Sequence, residues 1–271
     1  MENSRIAKDG LVLLGCGKMG SAMLEGWLAR GLPAASVWVI DPHPSDWLKN
    51  TGVRLNADLP PHPAIVLVAV KPQMMAEALP TLRAMGNGET LFVSVAAGTP
   101  IAYFEKALGA QTPVVRAMPN TPAAISQGIT AIAGNGPAGT QSMDEAELLL
   151  SAVGQVVRLS EEAQIDAVTG VSGSGPAYVF HMIETMAAAG VAEGLPADLA
   201  MQLAKATVAG AGALAMQAVE DPTQLRINVT SPNGTTQAAL EVLMNETDGF
   251  PHLLRRAVAA AADRSRELLR G

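Results

Sequence analysis

Short apolar runs alternate with longer amphipathic stretches through about the first 160 residues, and then the alternation stops. The runs 11–14, 37–40, 65–70, 90–95, 114–118, 129–133 and 155–159 are rich in Val, Ile and Leu. They lack polar alternation, which suits strands buried on both faces. Helical patterns fill 21–30, 74–85, 101–108 and 142–153. Strands alternating with helices predict a parallel, doubly wound sheet. From Glu161 onward the pattern is helical only, over 161–170, 176–190, 197–219, 235–245 and 250–269, with breaks at Gly194-Leu195-Pro196 and Asp221-Pro222. The expected fold is an α/β N-terminal Rossmann domain, 1–162, followed by an all-α C-terminal domain, 163–271.

Residues 201–216 carry a single charge, Lys205. A helix apolar on most faces must be buried on most faces. A lone domain of about 110 residues has little interior to offer it, so part of this helix is expected to pack against another chain. Gly210 and Gly212 cost about 1 kcal/mol each in a helix interior relative to Ala, and they make sense where helices approach closely.

Composition narrows the classes. Hydrophobic residues make up 49% and charged residues 16%, enough for a sizeable core, and with only 3% aromatics the packing falls to Ala, Val, Leu and Met. A net charge of −7 and a pI near 5.1 argue against nucleic-acid binding, which needs a basic surface. Cys16 is the one cysteine, so no disulfide framework exists and a reducing cytoplasm is the expected home. The start, Met1-Glu2-Asn3-Ser4-Arg5, has no apolar signal core, and no run of 18 apolar residues suggests a membrane span.

The first strand runs into Gly15-Cys16-Gly17-Lys18-Met19-Gly20, then a helix, then a strand ending at Asp41. Strand, G-x-G-x-x-G, helix, strand and acid in one βαβ unit point to a bound dinucleotide. The glycines permit a tight turn, close approach of a pyrophosphate and close helix–strand packing. An acid at the position of Asp41 favours a ribose 2′-hydroxyl and NADH, and His43, Lys49 and Arg54 are the nearby cations that bear on a 2′-phosphate. Ligands of such sheets sit beyond the carboxyl ends of the strands. There the chain places Lys71-Pro72, Ala96-Ala97-Gly98 and Pro119-Asn120-Thr121-Pro122. Small residues let a flat nicotinamide ring lie against backbone, and Lys71 faces a phosphate or fixes a loop.

Two glycine-rich helix starts lie in the second half. Ser172-Gly173-Ser174-Gly175-Pro176 precedes a helix with Pro near its first turn. Thr230-Ser231-Pro232-Asn233-Gly234-Thr235-Thr236 turns at Asn233-Gly234 and enters a helix, where uncapped N–H groups, the helix dipole and three hydroxyls make a pocket for a small carboxylate or simply a capped helix end. No Cys/His metal spacing and no Ser-His-Asp arrangement is visible, so no metal is expected. His181 reads as a partly buried helix residue and Cys16 as a small packing residue.

Several motifs together resemble the pyrroline-5-carboxylate reductase family. They are Gly15–Gly20, Ala69-Val70-Lys71-Pro72-Gln73, Ser94-Val95-Ala96-Ala97-Gly98, Arg116-Ala117-Met118-Pro119-Asn120-Thr121-Pro122, the run from Asp166 to Tyr178, and Ser231-Pro232-Asn233-Gly234-Thr235-Thr236. They come in family order across nearly the whole chain, and the last two are the most specific. The resemblance implies reduction of Δ1-pyrroline-5-carboxylate to L-proline, the last step of proline biosynthesis, by NADPH or NADH. It implies an oligomer, a dimer interlocked through the helical domain and often a ring of five dimers. Ser231, Gly234 and Thr235 would hold the substrate carboxylate, with Ser174 and Gly175 also on the substrate side, and Thr236 would bond the ring nitrogen. Asn56 matches an asparagine near the adenosine. Ala69, Val70, Lys71 and Pro72, then Ala96, Ala97 and Gly98, then Met118, Pro119 and Asn120, would line the nicotinamide side.

The chain departs from the family at Asn233, where Gly is usual, and at Arg226-Ile227, where many members have Lys-Asp. It is also richer in proline at 59–63. Asn233 tolerates left-handed backbone, so the turn should survive. Two other readings compete. A β-hydroxyacid dehydrogenase needs a helical Lys soon after a glycine-rich turn, and here none follows Gly175 until Lys205. A silent nucleotide-binding regulator would bind the cofactor without turnover.

Overall fold

A computed structural model describes residues 4–268, so Met1–Asn3 of the N-terminal reading and Leu269 of the last expected helix lie outside the described residues. The chain divides into two compact units, residues 4–173 with 261–268, and Ser174–Ala260.

The first unit is built on eight strands: β1 Leu11–Leu14, β2 Val37–Ile40, β3 Arg54–Leu55, β4 Ile65–Val68, β5 Leu91–Ser94, β6 Val114–Met118, β7 Gly128–Gly134 and β8 Gly154–Arg158. Their spatial order is β3-β2-β1-β4-β5-β6-β7-β8. Helices α1 Arg5–Asp9, α2 Lys18–Ala29, α3 Asp46–Lys49, α4 Met75–Ala78, α5 Ile101–Leu108, α6 Thr140–Leu150 and α7 Gln164–Val168 complete it. Every residue of β1, β4 and β5 is buried, as apolar runs without alternation predict. One face packs Met23, Leu24 and Trp27 of α2, and the Trp27 indole N–H donates to the Leu149 carbonyl at 2.9 Å. The other face packs Phe92, Phe104 and Leu108.

The structure corrects the all-parallel expectation at one edge. β7 runs antiparallel to β6, and β8 pairs parallel with β7. Only residues 119–127 separate β6 from β7, and they form a 3-10 turn at Thr121–Ile125. A parallel crossover needs a dozen or more residues, so the chain reverses instead. The expected helix 74–85 is also broken. It becomes α4 and a 3-10 stretch, Leu79–Met85, because Pro80 removes a donor and crowds the preceding turn.

The second unit holds α8 Gly175–Ala192, α9 Ala197–Gln217, α10 Pro222–Asn228, α11 Thr235–Leu243 and the start of α12 Phe250–Leu268, whose last residues belong to the first unit. The expected break at Asp221-Pro222 does follow the end of α9 and also opens a short helix, α10, which Asp221 caps through the Gln224 N–H at 2.8 Å with Pro222 at its first position. α8 and α9 meet through Ala187, Ala200 and Ala204. α9 has a mean hydropathy of 1.3 over its most apolar window and is long enough to cross a membrane by length and composition alone. A Cβ at Gly210 or Gly212 would meet nothing within 4 Å, so among the described residues no helix approaches closely there. His181, expected to be partly buried, is exposed and sits 3.2 Å from Glu184.

Candidate active site

The glycine loop lies at the topological switch point, where β1 and β4 are neighbours and their following connections diverge. The three glycines meet three different needs. Gly15 takes φ +86, and a Cβ there would stand 2.9 Å from Val70 and 3.1 Å from the Ala69 carbonyl. A Cβ on Gly20 would stand 2.5 Å from the Gly15 carbonyl oxygen, so α2 can start hard against the strand end only with glycine. A Cβ on Gly17 would meet nothing within 4 Å, so the middle of the loop faces open space. Gly17 also caps α2 with no side-chain bond to the first-turn N–H groups of Lys18 and Met19 and their neighbours. An open cradle at an uncapped helix start fits a dinucleotide pyrophosphate.

Asp41 and Asn56 form a clamp beside this loop. Asp41 Oδ2 accepts from the Cys16 N–H and Oδ1 from the His43 N–H, each at 2.8 Å. Asn56 adopts left-handed backbone, φ 49, and grips Asp41 through both amide atoms, accepting from its N–H at 2.9 Å and donating to its carbonyl at 2.8 Å. The carboxylate therefore shapes the glycine loop as well as facing the end of β2. Burial, then the nearby Asp41 charge, pushes the Cys16 thiol up to about 11.

Beyond β4, Lys71 and Pro72 are exposed at the start of a 3-10 turn. Beyond β5, Ser94 Oγ accepts from the Ala96 N–H at 3.3 Å, Ala97 is exposed, and Gly98 takes φ +68. Beyond β6, Pro119 is buried while Met118 and Asn120 are half-buried. Asn120 accepts from the Ile129 N–H at 3.0 Å and donates to Ser172 Oγ at 3.4 Å. Ser172 belongs to a π turn, Thr169–Gly173, that continues α7. Arg116 is buried in β6 and donates to Glu162 at 2.8 Å, and the same Glu162 oxygen accepts from Ile101 N–H at the start of α5. The roles of Glu162 and Ser172 and the Asp41–Cys16 bond do not show in the sequence, because each joins residues 25 or more positions apart.

In the second unit, α11 starts at Thr235 after a turn in which Gly234 N–H donates to the Ser231 carbonyl at 3.0 Å. Asn233 takes φ 57, as its tolerance of left-handed backbone predicts. Gln237 accepts from the Asn233 N–H at 2.8 Å, a bond whose signal is a glutamine in the first turn. Gly234 offers the helix no side-chain cap. Ser231 and Thr235 are exposed and Thr236 is half-buried, so an uncapped helix start carries three hydroxyls together. Ser174 precedes α8, which starts at Gly175 with Pro176 in its first turn and no side-chain cap, and a Cβ on Gly175 would meet nothing within 4 Å. The π turn runs directly into this start.

Comparison with known proteins gives this arrangement its context. Residues 162–268 match the family described as pyrroline-5-carboxylate reductase dimerisation, and residues 10–98 match NADP oxidoreductase, coenzyme F420-dependent. A pyrroline-5-carboxylate reductase of Pseudomonas aeruginosa is 40% identical over 264 residues, covering 95% of this chain and 96% of the relative. The chain belongs to the pyrroline-5-carboxylate reductase family. A solved family structure from Coxiella burnetii superposes with a TM-score of 0.90 at 32% identity, covering 96% of this chain and 98% of that one. The Plasmodium falciparum pyrroline carboxylate reductase, solved with NADP bound, superposes with a TM-score of 0.84 at 27% identity, covering 99% of each chain. The fold of an α/β dinucleotide unit followed by helices is thus the family's.

Proposed function

We propose that this chain reduces Δ1-pyrroline-5-carboxylate to L-proline with a nicotinamide dinucleotide, the closing step of proline biosynthesis. The observation that carries the reading is full-length membership of a reductase family joined to an open Gly17 cradle and an uncapped, hydroxyl-rich start to α11. The reduced nicotinamide, when bound, supplies a hydride. Gly15, Gly17, Lys18, Met19 and Gly20 receive its pyrophosphate, and Asp41 and Asn56 sit at the adenosine end. Residues 69–72, 96–98 and 118–120 line the nicotinamide end. Ser231, Gly234 and Thr235 hold the substrate carboxylate through hydroxyls and helix N–H groups, with Ser174 and Gly175 on the substrate side. Thr236 bonds the ring nitrogen. Protonation of that nitrogen makes the neighbouring carbon electrophilic, and the carbon gains hydrogen while the double bond to nitrogen becomes single. The task is alignment, which explains a site with no catalytic His or Lys.

In this reading residues 1–162 serve the nucleotide and 163–271 serve the substrate and self-association, with 163–173 and 261–268 packed in the nucleotide unit. NADH is used beside NADPH. The Asp41 carboxylate keeps acceptor capacity for a ribose hydroxyl and repels a 2′-phosphate. The exposed apolar side chains Phe180, Leu214, Met216 and Val242 are covered by a second copy of the chain, and such dimers associate further into a decamer in the cytoplasm. The test is addition of Δ1-pyrroline-5-carboxylate to protein with NADH or NADPH, following cofactor oxidation and proline formation. Proline formed in step with oxidation supports the reading. Cofactor binding without turnover leaves a regulator, and turnover of β-hydroxy acids instead moves the chain to another chemistry.

A further inference from the structure

The end of the chain makes a buried polar contact that the proposed reaction does not use. Ser265 of α12 and Asp166 of α7 are each 6% exposed, and the Ser265 hydroxyl donates to Asp166 Oδ1 at 2.6 Å. A carboxylate is withdrawn from water only where hydrogen bonds replace it, and a hydroxyl given to an ionised acceptor makes a short, strong bond. This bond ties α12 to α7. Three positions on, and therefore on the same side of the helix, stands Leu268. A Cβ added to Gly98 would lie 3.1 Å from the Leu268 Cβ and 3.5 Å from its carbonyl oxygen. Any larger residue at position 98 would crowd Leu268, and φ +68 favours glycine there as well.

Gly98 closes the loop 96–98 beyond β5. Its near end is held by its own strand through Ser94 Oγ and the Ala96 N–H. Its far end lies against the last turn of α12. The element that anchors α12 also reaches the neighbouring loop. α7 runs into the π turn, where Ser172 accepts from Asn120 beyond β6. A single helical segment, 164–173, is thus tied to both loops at the carboxyl ends of the central strands.

We propose that Asp166 and Ser265 are positioning residues for the dinucleotide. Their bond locks the last turn of α12 against loop 96–98 and sets the shape that this loop presents to the nicotinamide end. The inference rests on the reading of 96–98 as a cofactor loop. Loss of the bond frees the helix end, loosens the loop and weakens the nucleotide more than the substrate.

The test titrates NADH and NADPH into the full-length protein without substrate, following nucleotide fluorescence, and then measures both KM values and the Tm. Ser265→Ala is expected to weaken nucleotide binding and raise the nucleotide KM roughly tenfold, as expected for a bond to a charged acceptor. The KM for the imine acid stays within about twofold, and Asp166→Asn, which keeps an acceptor oxygen, binds within about threefold of the unaltered protein. Leu268 is 50% exposed and meets Gly98 through its Cβ, so Leu268→Gly removes that side-chain contact at an exposed position. It is expected to weaken nucleotide binding about threefold, as for a partly exposed apolar contact. A lowered Tm with unchanged nucleotide affinity in both Ser265→Ala and Leu268→Gly would overturn the positioning role. An unaltered protein that binds no nucleotide would instead overturn the cofactor reading, and this inference with it.

Discussion

In the sheet unit Trp27, Phe92 and Phe104 are fully buried, and whole strands have no exposed side chain. In the helical unit, Ser174–Ala260, the buried apolar residues among those described are three alanines, Ala187, Ala200 and Ala204. There Phe180 is 59% exposed, Met216 68% and Val242 71%. The two units have similar apolar residues and opposite fates for them. The sheet unit closes a core from its own chain, because alternating strands and helices supply two faces to cover a sheet. Among the described residues the helical unit buries little of its own apolar surface, which fits its match to a dimerisation family. The unit that carries the proposed carboxylate site is then the one expected to be completed by a partner.

The largest expected effect falls on the self-contained unit. Trp27→Ala removes a fully buried ring and its bond to Leu149, and should cost about 3–5 kcal/mol in denaturant unfolding, independent of protein concentration. A loss below about 1 kcal/mol would show that this core can close without it. Leu214→Glu on α9 puts a charge on the exposed apolar face and should raise the dimer dissociation constant about a hundredfold, in line with losing one or two buried leucines per symmetric interface. Sedimentation showing no change in mass would mean that this face is not covered by another copy, and the contrast between the units would fail.

The next effects separate the chemistry of the two units. The Cys16 thiol, raised to about 11 by burial and by Asp41, should react with a neutral alkylating reagent about a hundredfold more slowly at neutral pH than an ordinary thiol, since the thiolate is the nucleophile. The sign is fixed by that direction. The folded state favours the protonated thiol, so its contribution to stability is whole below about 9, the ordinary value, and is lost as pH rises toward about 11. Rapid labelling of the native protein at neutral pH would contradict it. In the helical unit, Thr236→Ala should lower kcat/KM about 10–100-fold, the worth of one charge-assisted bond of about 1.5–3 kcal/mol. Steady-state assays giving the unaltered value would remove Thr236 from the ring nitrogen. The smallest effect is Asp41→Asn, which should shift the NADPH-to-NADH ratio of kcat/KM toward NADPH by about threefold, as one surface charge does. A fixed ratio would show that Asp41 serves the loop alone.

Much of this was legible because its signals are local. The strand β1, the glycine loop, α2, β2 and Asp41 lie within 31 consecutive residues, 11–41, and each states its conformation in its own residues. The turn at Asn233-Gly234 and the start of α11 were legible for the same reason. What escaped depends on distance or on very short elements. β3 has two residues and no periodicity to show. The π turn at Thr169–Gly173 is a choice of hydrogen-bond step that residue preferences do not report. Asp166 and Ser265 meet across 99 positions. Pro80 was different, since its signal was present and outweighed by the surrounding periodicity, while Asp221-Pro222 was legible as the break after α9 but not as the start of α10.

Asp41 also bears on how such a chain changes over generations. Its carboxylate is a strut bonded to Cys16 N–H and His43 N–H as well as the charge proposed to meet the ribose. An exchange for a cation would remove both loop bonds at once. If Asp41 sets the coenzyme as proposed, a switch would need a substitute acceptor for the loop together with the new charge, because the same carboxylate holds the Cys16 and His43 N–H groups.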